Sequence, residues 1–124
     1  MSKRILVVDD DPMIRALVCD CLGTLGVELN AVENGTSCLA ALTQTENRPD
    51  LIVLDLIMPD MSGLDVLKKI RGDASLASIP VLMLTANSDT AEVAASMNIS
   101  ANEYLGKPFA MMELIGTVVR LTTP

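Results

Sequence analysis

Three stretches of the chain are apolar almost without interruption: Ile5-Leu6-Val7-Val8 after Arg4, Leu51-Ile52-Val53-Leu54, and Val81-Leu82-Met83-Leu84. Short continuous runs of this kind, rich in β-branched residues, suit strands covered on both faces, as in the interior of a parallel sheet. Two further strand-like segments, Val27 to Val32 and Glu103-Tyr104-Leu105, mix polar with apolar residues, as sheet edges do. Between the strands the pattern turns helical. Asp11-Pro12 predicts an N-cap with proline at the first helical position. Ile14, Leu17, Val18, Cys21, Leu22 and Leu25 then share one face, and Gly26 is expected to end that helix. Asn34-Gly35-Thr36 opens a second helix carrying Cys38, Leu39 and Leu42. Ser62 with Asp65 forms a capping-box pattern for a third, which stops near Gly72. Ser88 or Asp89 would cap a fourth, and a fifth starts just after Pro108.

Strand and helix alternate five times. That predicts an α/β fold with a parallel five-stranded sheet and helices on both faces, joined by right-handed crossovers. No linker, low-complexity tract or internal repeat interrupts it, and 124 residues, half of them apolar, suffice for one domain. No apolar run approaches bilayer-spanning length and the first residues belong to a strand, so a cytoplasmic protein with no membrane partner is expected. The formal charge of −7 argues against direct nucleic-acid binding, which needs clustered Lys and Arg. Cys19, Cys21 and Cys38 have no metal-binding spacing and suit a reducing compartment. With no histidine in the chain, a histidine base or an internal phosphohistidine is excluded.

In such sheets the functional site lies at the carboxyl ends of the strands. There the first strand runs into Asp9-Asp10-Asp11, the third into Asp55, the fourth into Thr85-Ala86, and the fifth into Lys107-Pro108. Capping accounts for Asp11. The remaining carboxylates repel one another, by roughly 3 kcal/mol for two charges about 5 Å apart at an effective dielectric of about 20. A proton or a cation must relieve that repulsion. A few all-oxygen ligands suit Mg²⁺, whereas a Ca²⁺ loop would need closely spaced acidic ligands that are absent here. A carboxylate beside Mg²⁺, with the Lys107 ammonium and the Thr85 hydroxyl nearby, is equipped to attack a phosphoryl group.

The segments Ile5-Leu6-Val7-Val8-Asp9-Asp10, Val53-Leu54-Asp55-Leu56-Ile57-Met58-Pro59, Leu84-Thr85-Ala86 and Tyr104-Leu105-Gly106-Lys107-Pro108-Phe109 together resemble the receiver domain of two-component response regulators. The resemblance covers residues 1–124. It implies the flavodoxin-like strand order 2-1-3-4-5 and a cis Lys107–Pro108 bond. It implies that Asp55 accepts a phosphoryl group from a phosphohistidine on a sensor histidine kinase or histidine phosphotransfer protein. Asp10 and Asp55 would ligate Mg²⁺ directly, Asp9 mainly through water, and the Ile57 backbone carbonyl would add a further ligand. Lys107 would contact the phosphoryl oxygen, Thr85 would close on it, and Tyr104 would turn inward as Thr85 moves. Such a domain is a signalling phosphoacceptor and not a turnover enzyme.

Two positions depart from the commoner pattern. Ile57 and Asn87, each two residues past a key side chain, would flank the phosphoryl group, and an apolar Ile57 has nothing to orient a hydrolytic water. Slow intrinsic dephosphorylation is therefore expected. The fifth predicted helix carries an inward stripe, Leu114, Val118 and Leu121, and a second, Met111, Ile115 and Val119; Glu113 and Arg120 are its charged residues. The second stripe reads as a docking face, with the fourth helix and fifth strand, for an output domain, a partner or a second copy in a homodimer. The charged pairs of one DNA-binding receiver subfamily are missing there; Thr117 stands where Arg or Lys would be. A haloacid-dehalogenase-like phosphatase would need an aspartate at position 57, and a flavin carrier a Ser/Thr-rich loop after the first strand. An interaction module that is never phosphorylated is the remaining alternative. A terminal Thr122-Thr123-Pro124 fits a single-domain regulator or a receiver cut from a longer protein.

Overall fold

Alternation within each strand sorts the apolar side chains onto two faces of one sheet. A computed structural model describes residues 3–43, 48–85 and 101–123. Its elements run β1 (Arg4–Val8), α1 (Pro12–Gly23), β2 (Glu28–Val32), α2 (Gly35–Leu42), β3 (Leu51–Asp55), α3 (Gly63–Gly72), β4 (Val81–Thr85), β5 (Glu103–Gly106) and α4 (Met111–Thr122). The strands form a parallel sheet in the order β2-β1-β3-β4-β5. This is the expected doubly wound, flavodoxin-like order, with the two mixed strands at its edges. The helix expected from Ser88 or Asp89, together with Ala86 and Asn87, lies outside the described residues.

Ile5, Val7, Leu51, Val53, Leu82 and Leu84 point to one face and pack with Val18, Cys21 and Leu22 of α1 and Leu114 and Val118 of α4. Leu6, Val8, Ile52, Leu54, Val81 and Met83 point to the other, against Cys38 and Leu42 of α2 and Val66, Leu67 and Ile70 of α3. Each aliphatic side chain taken fully from water in this way contributes about 1.5–3 kcal/mol. Burial on both faces explains why β1, β3 and β4 read as unbroken apolar runs.

The helix starts follow their capping residues. The Asp11 carboxylate accepts from the Met13 amide, Asn34 from Ser37, and Ser62 from Asp65. Two ends differ from expectation. The first helix stops at Gly23 and not at Gly26, because the Thr24 hydroxyl donates to the Cys21 carbonyl (2.8 Å) and Leu25 N–H to Leu22 (3.0 Å), closing a turn. Gly26 supplies the left-handed residue of that turn, at φ 70°. Leu17, expected on the inward face, is exposed, because α1 buries the arc of Val18, Cys21 and Leu22. The last helix begins at Met111 from an Ala110 N-cap that has no side-chain acceptor. Of its second stripe, Met111 and Val119 are exposed, but Ile115 packs onto the core.

Candidate functional site

Register brings the first two carboxylates together. Val8 pairs with Leu54, so the next residues, Asp9 and Asp55, leave adjacent strands side by side. Asp9 is fully buried and held from three sides. Its Oδ1 accepts from the Asp11 amide at 2.9 Å, its Oδ2 from Lys107 Nζ at 2.9 Å, and the Arg15 guanidinium donates to its carbonyl at 2.7 Å. Asp10 is exposed. Carboxylate oxygens of Asp9, Asp10 and Asp55 all lie within 4.8 Å of one another.

Lys107 reaches this notch because β5 carries it there. Gly106 pairs with Thr85, and the Lys107 amide donates to the Thr85 carbonyl at 2.8 Å. The peptide bond Lys107–Pro108 is cis. Nζ of Lys107 donates to Asp55 Oδ1 at 2.9 Å as well as to Asp9. One ammonium thus bridges two carboxylates that are nearly inaccessible to water.

The charge balance shows in the acidities. Burial, the largest effect, pushes the Asp55 carboxyl up to about 6; the Lys107 hydrogen bond pulls it down, while the Asp9 charge and a hydrogen bond with Asp10 push it further up. Burial alone would lower Lys107. Its hydrogen bonds to Asp9 and Asp55 outweigh that and leave it above the ordinary lysine value. The notch therefore has anionic oxygens to spare for a cation. Its donors are hard oxygens on residues that backbone pairing has already placed, which fits Mg²⁺ with part of its water shell retained.

Thr85 ends β4 and is buried. Tyr104 pairs with Met83, two residues earlier on the same face of the sheet as Thr85. Its ring packs against the α2–α3 side of the core, and its hydroxyl accepts from the Ala101 amide at 3.3 Å. The Ile57 side chain is 72% exposed at the mouth of the loop after β3.

Two features of that loop escaped the sequence reading. Gly63 permits a close approach: a Cβ on it would collide with the Asp55 carbonyl oxygen, and its amide donates to Leu56 at 2.6 Å. Asp60 was not singled out. Its carboxylate accepts from the Gly35 amide (3.1 Å), the Thr36 amide (2.9 Å) and the Thr36 hydroxyl (2.6 Å). An acidic residue following Pro59 was the available signal, but its partners lie on another helix.

The family model for the response regulator receiver domain matches residues 5–119. The chain belongs to that family. The DNA-binding response regulator MtrA of Mycolicibacterium smegmatis is 39% identical to it over 118 residues, 95% of this chain and 50% of that protein. The transcriptional regulatory protein GltR of Pseudomonas aeruginosa is 37% identical over 120 residues, 97% of this chain and 49% of that protein. The receiver thus spans about half the length of these curated relatives. The chemotaxis response regulator CheY4 of Vibrio cholerae superposes with a TM-score of 0.88 at 30% identity, covering 98% of this chain and 99% of that one. The receiver domain of the sensor histidine kinase PA1611 from Pseudomonas aeruginosa, described with a magnesium ion coordinated in its active-site cleft, gives 0.86 at 26% identity, with 98% of each chain covered. Membership ties the chain to two-component signalling.

Proposed function

We propose that Asp55 is the phosphoacceptor of a Mg²⁺-dependent transfer from a phosphohistidine on a partner kinase or phosphotransfer protein. The observation that carries this reading is the Lys107 ammonium at 2.9 Å from both Asp55 and Asp9. A buried carboxylate beside a fixed cation and a spare anionic notch is arranged for accepting a dianionic group. An Asp55 oxygen attacks phosphorus, the P–N bond breaks, and its electron pair returns to the donor imidazole. Asp9, Asp10, Asp55 and the Ile57 carbonyl would hold the Mg²⁺, which when bound neutralises phosphoryl oxygen charge. Lys107 then releases Asp55 to contact a phosphoryl oxygen, keeping its own charge near the developing anion. The Thr85 hydroxyl closes on the same group, and Tyr104, on the same face, follows it.

The donor histidine lies outside these 124 residues, which contain none. Exposed Met13 and Leu17, one turn apart at the site end of α1, and exposed Ile57 give such a partner an apolar footing beside the acidic notch. The output is carried by the face of β5 and α4, to an output domain, a partner protein or a second copy. The protein acts in the cytoplasm as a phosphorylated signalling domain, catalysing only its own gain and loss of the group. Incubation with acetyl phosphate and Mg²⁺, followed by intact mass measurement, tests this. Mass should rise by one phosphoryl group in the parent and stay fixed in Asp55→Asn. An unchanged parent mass would overturn the proposal and favour a never-phosphorylated interaction module.

A further inference from the structure

The loop between β3 and α3 carries Ile57, whose carbonyl the proposed function assigns to the metal, and three sets of contacts decide how rigidly it is held. At its base Leu56 N–H donates to Leu84 (3.0 Å) and Gly63 N–H to Leu56 (2.6 Å). In its middle Met58 is buried, and Met61 sits where a side chain on Gly35 would have to go. At its far end Asp60 binds two amides and one hydroxyl at the start of α2, with one oxygen on Gly35 and the other shared by the Thr36 N–H and O–H. A helix start is the natural seat for a carboxylate, because its free N–H groups and dipole favour negative charge. Hydrogen bonding to Thr36 accordingly draws the Asp60 carboxyl down to about 2. Asn34 serves the Ser37 amide, so the two acceptors divide the start of α2 between them.

We infer that Asp60 is a positioning residue: by capping α2 from the loop after β3, it fixes the Ile57 backbone carbonyl for the metal ion at Asp55. The peptide that bears this carbonyl joins exposed Ile57 to buried Met58, so a loop anchored on both sides of it holds the oxygen in one place. Without the anchor at Asp60, residues 57–61 keep, among the described residues, the Met58 and Met61 contacts, which are apolar and non-directional. The carbonyl then has to be ordered at the moment of binding, which weakens affinity. This inference rests on the reading of Asp55 and its neighbours as a Mg²⁺ site.

The test is Mg²⁺ affinity measured by calorimetry on the unphosphorylated chain, with amide exchange of residues 56–63 followed by NMR. Asp60→Ala should weaken Mg²⁺ binding about tenfold, the cost typical of losing a group that orients a metal ligand. Thr36→Val, which leaves the carboxylate and both amides in place, should weaken it about threefold. The double variant should bind no more weakly than Asp60→Ala alone, because both changes act through one contact. Loop amides should exchange faster in Asp60→Ala while those of β3 do not. A role confined to stability would lower the melting temperature yet leave affinity within about twofold of the parent; that result in either folded single variant overturns the inference. A parent chain that binds no Mg²⁺ overturns the underlying site reading as well, which tells the two failures apart.

Discussion

Asp55 is the residue on which the electrostatics turn. Its carboxyl is raised to about 6 by burial, so the folded protein binds a proton there at pH values where the unfolded chain does not. Folded binding of a proton makes stability rise as pH falls, from above the folded value down to the ordinary carboxylate range near about 4. Asp60 works in the opposite sense. Its carboxyl is lowered to about 2, so its contribution is complete above the ordinary range and disappears as pH falls through the folded value. Metal-free protein should therefore be most stable between about pH 4 and 5, as a denaturant series across pH will show. In Asp55→Asn the rise on acidification should vanish, and stability at pH 8 should increase by about 1–3 kcal/mol. Mg²⁺ competes with the same proton. Its affinity should fall as pH drops below about 6, and a calorimetric titration with flat affinity from pH 8 to 5 would contradict the assignment.

At the level of elements, strand and helix identity followed from patterns that burial enforces. β1, β3 and β4 are apolar on both faces because helices cover both, so their runs were readable without knowing the partners. Edge strands β2 and β5 read as mixed for the converse reason. The site residues were legible as far as they end strands: Asp9, Asp55, Thr85 and Lys107 fall on one rim once the sheet is parallel. What periodicity could not supply was the fine geometry. Leu17 carries the right spacing for the core but lies outside the arc that α1 buries. Gly63 looks like any turn glycine until the Asp55 carbonyl is seen against it. Asp60 pairs with residues 24 and 25 positions away, a distance no local pattern encodes. Substitutions at these places should separate packing from positioning. Leu114→Ala, at a fully buried position of α4, should cost about 2–5 kcal/mol in denaturant unfolding. Met112→Ala, at a position 75% exposed, should stay within about 0.5 kcal/mol of the parent. Gly63→Ala meets backbone that cannot rotate away, and should cost about 1–3 kcal/mol while also displacing the Asp55 main chain.

Across the whole molecule, the proposed chemistry at Asp55 must be felt on the far side of β4 and β5. The connecting parts are present. Thr85 and Tyr104 share a face of the sheet, and Tyr104 lines a cleft of about 430 Å³ with Met112, Thr117 and Arg120, where Arg120 pairs with Glu103 at 3.1 Å. The Tyr104 ring lies on the α2–α3 face, so its movement would reach that cleft through the β5 backbone that lines it, and so alter what α4 and β5 offer a partner. Such a switch needs two arrangements separated by only a few kcal/mol, which one extra dianion beside Thr85 can rebalance. The chain reports on this directly, since it has one tyrosine and no tryptophan, so its tyrosine emission comes from Tyr104 alone. Acetyl phosphate with Mg²⁺ should change that emission in the parent and leave it untouched in Asp55→Asn. Thr85→Ala should still gain the mass of a phosphoryl group while losing most of the emission change, because it severs the link and not the acceptor. Were Thr85→Ala to be phosphorylated with the full optical response, the path through Thr85 would be wrong, and Tyr104 would be answering to another part of the fold.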